Sequence, residues 1–125
     1  MRESASFSKE KLVRPHVLVL DKEFLPAFDL AIALYKAGAH VLGPFTATDL
    51  AVIRLARHRD EIAAVVMDVH LGKEDISWLA EWLILAHIPI ILTTNHARTD
   101  LPASLRRTPW FPKPYRSELV ASAAM

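Results

Sequence analysis

Cysteine is absent from the chain, which excludes a disulfide framework, a thiolate metal site and a cysteine nucleophile. No long basic run occurs and the formal net charge is +1, so nothing in the charge pattern points to nucleic acid. No apolar stretch reaches membrane-spanning length and the first residues are polar, so neither an anchor nor a secretory leader is expected. Glycine is scarce, three in 125 residues. No glycine-rich loop follows the first apolar run, which argues against Rossmann or P-loop nucleotide binding. No serine-centred elbow is present, so a hydrolase reading is weak. No internal repeat or low-complexity segment stands out. A soluble, cytoplasmic single domain is expected, 52% hydrophobic and long enough to bury its own core.

The rest of the chain is organised around one stretch, Ala63-Ala64-Val65-Val66-Met67-Asp68-Val69-His70-Leu71-Gly72. Five apolar residues rich in valine read as a strand buried on both faces. Asp68 then falls at the carboxyl edge of a sheet, where open α/β folds bind ligands. An aspartate that merely caps the following turn fits that stretch equally well.

Residues 1–13 read as a flexible polar tail and 14–125 as the domain. His16 to Leu20 is an apolar strand ended by Asp21-Lys22-Glu23. Leu25, Phe28, Ile32 and Tyr35 predict one face of a helix that Gly38 stops. Ala39 to Leu42 is a second strand, closed by Gly43-Pro44. Thr46-x-x-Asp49 has capping-box spacing. It opens a helix lined by Ala47, Leu50, Ala51 and Leu55 and ended by Arg57-His58-Arg59. After the central strand, Ile76, Leu79, Ala80 and Leu83 give a third helix, and His87 to Thr94 a fourth strand. A short fourth helix starts at Asp100-Leu101-Pro102 and carries Leu105. Pro109 to Phe111 is a brief fifth strand, and Ser117 to Ala123 the last helix. Five β-α units imply a parallel sheet with helices on both faces. Right-handed crossovers leave a flavodoxin-like, doubly wound (βα)5 three-layer sandwich, strand order 2-1-3-4-5, as the leading topology.

In that topology four strand ends share one edge. They bring Asp21, Lys22 and Glu23, then Asp68, then Thr93 and Thr94, then Lys113, around a single crevice. With the acidic loop after HVLVL, Asp68 in VVMDVHLG, Thr94 in PIILTTN and Lys113-Pro114 in WFPKPY, the chain resembles the receiver domain of two-component response regulators. The resemblance covers roughly residues 15–123. The Val41-Leu42-Gly43-Pro44 segment also resembles single-domain receivers of alphaproteobacterial type.

The resemblance implies that Asp68 is the phosphoacceptor, fed by a histidine kinase or phosphotransfer protein, since a carboxylate can form an acyl phosphate. It implies that Thr94 hydrogen-bonds the phosphoryl group, that Lys113 offsets its charge, and that the Lys113-Pro114 bond is often cis. Trp110 falls where the family carries an aromatic switch; a partly buried surface anchor is an equal alternative. Mg²⁺ would be held by Asp21, Asp68 and the backbone carbonyl of His70. Lys22 stands where the family has a second acid and supplies no oxygen ligand, so metal binding is expected to be weak. Lys22 could instead pair with Asp68 and keep it ionised, and Glu23 reads as a solvated residue in preference to a substitute ligand. Gly72 replaces the family's usual proline.

His70 reads as a solvated loop residue, since one histidine beside Asp68 lacks a zinc ligand set. His40, His58, His87 and His96 form no i, i+4 pair. Trp78 and Trp82 read as a helix flank packed on the sheet; exposed, they would form a partner or dimer surface. Output is then by binding rather than by catalysis, either passing the phosphoryl group onward or presenting a downstream protein with a surface that changes on phosphorylation, with oligomeric state open. The rivals are a phosphorylation-independent pseudo-receiver, with Lys22 in place of the cation, and a small flavodoxin-fold enzyme.

Overall fold

Valine, leucine and isoleucine runs without interior proline favour strands whose two faces are both covered. In the computed structural model, which describes residues 14–125, three such runs, His16–Leu20, Ile62–Met67 and Ile90–Thr94, form the middle of one five-stranded parallel sheet; the expected tail over 1–13 lies outside the described residues. The elements are β1 (His16–Leu20), α1 (Phe24–Lys36), β2 (His40–Phe45), α2 (Thr48–His58), β3 (Ile62–Met67), β4 (His70–Leu71), β5 (Glu74–Asp75), α3 (Ser77–Leu85), β6 (Ile90–Thr94), β7 (Trp110–Pro112) and α4 (Ser117–Ala124). The sheet order is β2-β1-β3-β6-β7. This is the expected order 2-1-3-4-5, because the short antiparallel β4–β5 hairpin stands outside the main sheet.

Alternate strand residues feed two cores. Leu18, Leu20, Val65, Met67 and Leu92 pack with Ala51 and Leu55 of α2 and Leu79, Ala80 and Leu83 of α3. Val17, Val19, Ala64, Val66 and Ile91 pack with Ala27, Leu30 and Leu34 of α1 and Val120 and Ala121 of α4. The result is a three-layer flavodoxin-like sandwich.

Several local expectations are corrected. The stripe Leu25, Phe28, Ile32 and Tyr35 is exposed, and the alanine-bearing face of α1 is buried instead. This helix is apolar nearly all round, so its periodicity offers two faces. The capping box at Thr46 does not form: α2 begins at Thr48 after Ala47, with no side-chain cap. Asp49 there accepts from the N–H of Leu50 at 2.9 Å, and Leu50 is exposed. In place of a fourth helix stand two 3₁₀ turns, Arg98–Asp100 and Ala103–Leu105. Pro102 between them lacks an N–H and disfavours a helical residue before it. Arg106 satisfies loose carbonyls there, donating to Leu101 at 3.1 Å and Thr99 at 3.3 Å. Trp78 and Trp82 are 55% and 42% exposed rather than packed on the sheet, because Leu79, Ala80 and Leu83 take the inner side of α3. The Arg59 guanidinium covers the Trp82 ring at 5.5 Å.

One irregularity positions the site. The second strand runs on through Gly43 and Pro44, whose peptide bond is cis, to Phe45. Leu42 pairs with Leu18 but Phe45 with Leu20, a bulge. Gly43 has φ +101°, and a Cβ there would stand 2.7 Å from the carbonyl oxygen of Val19. Beyond the bulge, the Phe45 carbonyl accepts the N–H of Asp21 at 2.9 Å.

Candidate functional site

Three strand ends carry the same local device. A side-chain oxygen accepts the backbone N–H two residues on: Asp21 from Glu23, Asp68 from His70, and Thr94 from His96, each at 2.9 Å. Such turns are what short oxygen-bearing side chains favour where a strand stops. They fix the side chains against the sheet edge, and Asp21, Asp68 and Thr94 are all buried. The fourth residue, Lys113, leaves β7 with its N–H bonded to the Thr94 carbonyl at 2.8 Å. Its peptide bond to Pro114 is cis.

The ammonium of Lys113 joins the cluster. Its Nζ lies 2.9 Å from Asp68 Oδ2, 3.0 Å from Asp21 Oδ1 and 3.3 Å from Glu23 Oε1. Glu23 is 51% exposed, the solvated residue at the start of α1 that the sequence predicts, and its carboxylate also meets Lys113 and the side-chain amide of Asn95, each at 3.3 Å. Asn95 and Tyr115 were missed altogether. The Tyr115 hydroxyl donates to the Pro26 carbonyl at 3.4 Å, and burial, then the charge of Asp21, push its pKa up to about 12.

Charge in this cluster is unbalanced. Three carboxylates share one ammonium, which has three protons. Those protons point at Asp21 Oδ1, Glu23 and Asp68. Asp21 Oδ2, although 2.9 Å from Nζ, is buried with no hydrogen bond. Burial raises the pKa of Asp21, outweighing the Glu23 N–H and the Lys113 ammonium. Lys113 is raised despite its own burial, through its bonds to Asp21 and Asp68. An oxygen left over and two surplus negative charges suit a divalent cation with a preference for oxygen donors. Ionised Asp21 thus costs stability in the cation-free fold. Asp21→Asn is expected to raise the melting temperature in chelator while weakening Mg²⁺ binding at least tenfold; calorimetry with and without Mg²⁺ measures both.

Lys22 does not enter this network. It is exposed, and its Nζ would lie 3.3 Å from a Cβ built on Gly72. Its side chain therefore crosses the hairpin glycine, and the cation paired with Asp68 is Lys113. Gly72, at φ +63°, leaves the room that Lys22 uses. His70 stacks on His96 with ring centroids 3.9 Å apart, and its buried Nδ1 has no hydrogen bond. This replaces the expected solvated loop histidine. Trp110 is partly buried against the α2–α3 core.

No protein-family model and no curated protein matches the sequence. Solved structures do match, several of them response regulator receiver domains; the chain has that fold. The solution structure of SdrG from Sphingomonas melonis Fr1 is 25% identical with a TM-score of 0.74, covering 90% of this chain and 96% of that one. The BeF3-activated conformation of SdrG from Pseudomonas melonis Fr1 is 28% identical with a TM-score of 0.67, over 87% and 92%. A response regulator receiver domain protein from Bacillus halodurans c-125 is 13% identical with a TM-score of 0.69, over 90% and 97%. Among the described residues no helix is long and apolar enough to cross a membrane.

Proposed function

We propose that this chain is the receiver of a two-component phosphorelay, accepting a phosphoryl group on Asp68 from a histidine kinase or phosphotransfer protein. The observation that carries the reading is the setting of Asp68: buried, at the carboxyl edge of β3, with Oδ1 on the His70 N–H and Oδ2 on Lys113. A carboxylate oxygen attacks phosphorus, the P–N bond of phosphohistidine breaks as the O–P bond forms, and the imidazole departs with the electron pair. Lys113 stays beside the acyl phosphate and offsets its charge. The pseudo-receiver alternative placed Lys22 in the pocket as the cation, and the Lys22 side chain lies over Gly72 instead.

Mg²⁺ fits the donors present. Asp21, Asp68 and the His70 carbonyl would hold it, with Glu23 in reach, and when bound it supplies positive charge to the phosphoryl oxygens. Thr94 accepts the His96 N–H and so keeps its own proton to give to the phosphoryl group. Trp110, on the strand that leads to Lys113, couples phosphorylation to the surface formed by the two 3₁₀ turns, β7 and α4, where a downstream protein reads it.

The test is intact-mass analysis after incubation with acetyl phosphate or a phosphohistidine protein, with and without Mg²⁺. One phosphoryl group should add to the wild type and none to Asp68→Asn. Labelling that survives in Asp68→Asn, or no labelling of the wild type by either donor, overturns the reading.

A further inference from the structure

One stripe of α3 is apolar and faces water. Trp78, Trp82 and Leu85 follow one another at spacings of four and three, so they form a single ridge along the helix. They are 55%, 42% and 80% exposed. A monomeric protein rarely leaves more than a few hundred square ångströms of contiguous apolar surface in water. The two indoles alone present roughly 200 Å² here, given about 150–250 Å² for a whole aromatic side chain. Leu85 extends the patch along α3, and Val52 and Ile53 of α2, both exposed, extend it beside Trp78.

A groove of about 410 Å³ runs beside the ridge. It is lined by Val52, Leu55 and Ala56 of α2 and by Trp78, Leu79 and Trp82 of α3. Arg59, just past the end of α2, joins the lining with its guanidinium 5.5 Å from the centre of the Trp82 ring. Leu79 thus marks the groove side of the ridge. Glu81, two residues on and about 200° further round the helix, lies on the other side, and it is half-buried.

We propose that a second copy of this chain covers this face, in a dimer whose two-fold axis runs along α3. A two-fold contact requires one patch to carry both halves of the fit, and a ridge beside a groove does so. With the axis parallel to α3, the ridge of each copy lies in the groove of the other; an axis across α3 would set ridge on ridge. Charge agrees with the same operator. Rotation about α3 preserves height along the helix, so Arg59, level with Trp82, meets Glu81 of the second copy, one residue before that copy's Trp82. Lys22, Asp49 and Glu74 line the continuation of the groove past Val52 and Trp78. Both signs are therefore present, and no excess of either repels a like copy or selects a strongly acidic or basic partner. A standard interface buries about 800 Å² on each partner; the ridge, the groove walls and their charged rim are surface on that scale. None of these residues belongs to the 3₁₀ turns, β7 or α4.

The test is analytical ultracentrifugation of the full, unphosphorylated chain over a range of concentrations, with tryptophan emission as a second readout. A dimer should form as concentration rises, and emission should move to shorter wavelength as the indoles leave water. Leu85→Glu and Trp78→Ala should each weaken association at least tenfold; both side chains are exposed, so these variants report on association rather than on folding. Arg59→Glu should also weaken it, and Arg59→Glu combined with Glu81→Arg should restore it, which altered packing alone would not do. Leu25→Ser with Phe28→Ser, on the exposed apolar stripe of α1, should leave it unchanged. A chain that stays monomeric at every concentration, whatever other protein its tryptophans hold, overturns the assignment. So does a dimer that Leu85→Glu and Trp78→Ala leave at full strength, or one that only the α1 variant breaks. Failure of the double charge swap to recover what Arg59→Glu loses overturns the axis along α3.

Discussion

Lys113→Met should destabilise the fold by roughly 3–5 kcal/mol, the range expected when one partner of a buried ion pair is removed. The side chains of Lys113, Asp21 and Asp68 are 6%, 3% and 6% exposed, so water cannot take over the ammonium's part. Urea unfolding at neutral pH measures the loss. The linkage has a definite sign. The pKa of Lys113 is raised in the fold from the ordinary 10.5. Its stabilisation is therefore fully present below about pH 10.5 and is lost as pH rises through the higher folded value. Asp21 is also raised, from 3.8, chiefly by burial. The stability it confers is full below 3.8 and is lost as pH rises through its folded pKa, so at neutral pH its charge is a cost. The Lys113→Met penalty should accordingly shrink by more than half in an Asp21→Asn background, because the two groups act as one unit. A Lys113→Met protein within 1 kcal/mol of wild type would show that the cluster does not depend on its ammonium.

The second large effect is a gain. Lys22→Asp is expected to tighten Mg²⁺ binding at least tenfold and to speed labelling by acetyl phosphate at low Mg²⁺. The substitution removes a positive charge from the loop and adds carboxylate oxygens next to Asp21, on a site already carrying three acids against one ammonium. Hard cations respond to both changes. Isothermal titration of the two proteins with Mg²⁺ gives the comparison directly. Equal affinities would mean that position 22 faces away from the cation in the bound state as well.

The strands were legible because a buried parallel strand needs apolar residues on both faces, and His16–Leu20, Ile62–Met67 and Ile90–Thr94 have them. Asp21, Asp68, Thr94 and Lys113 could be gathered on paper for the same reason: each follows or ends its own strand, and the strand order then makes them neighbours. Helix faces were harder. In α1 both the Leu25-Phe28-Ile32-Tyr35 face and the Ala27-Leu30-Leu34 face are apolar. The choice between them is made by close packing on the sheet, which the smaller residues allow. Pro102 was visible, but its effect on a weakly apolar segment was underestimated. Glu23 is exposed, as its sequence position suggests, but its partners Lys113 and Asn95 could not be read from sequence because they come from two distant loops.

The bulge in the outermost strand has a consequence for how this sequence can drift. An edge strand is ordinarily the most permissive part of a sheet, since one side of its ladder is unpaired. Here position 43 admits glycine alone, because any side chain would enter the Val19 carbonyl and the Phe45 amide at 2.7 Å. The residue that must move in response, Phe45, holds the backbone of Asp21. The acidic pocket is therefore as exposed to mutation at the rim of the sheet as at its own carboxylates, and its inheritance is constrained at a residue that carries no chemistry at all.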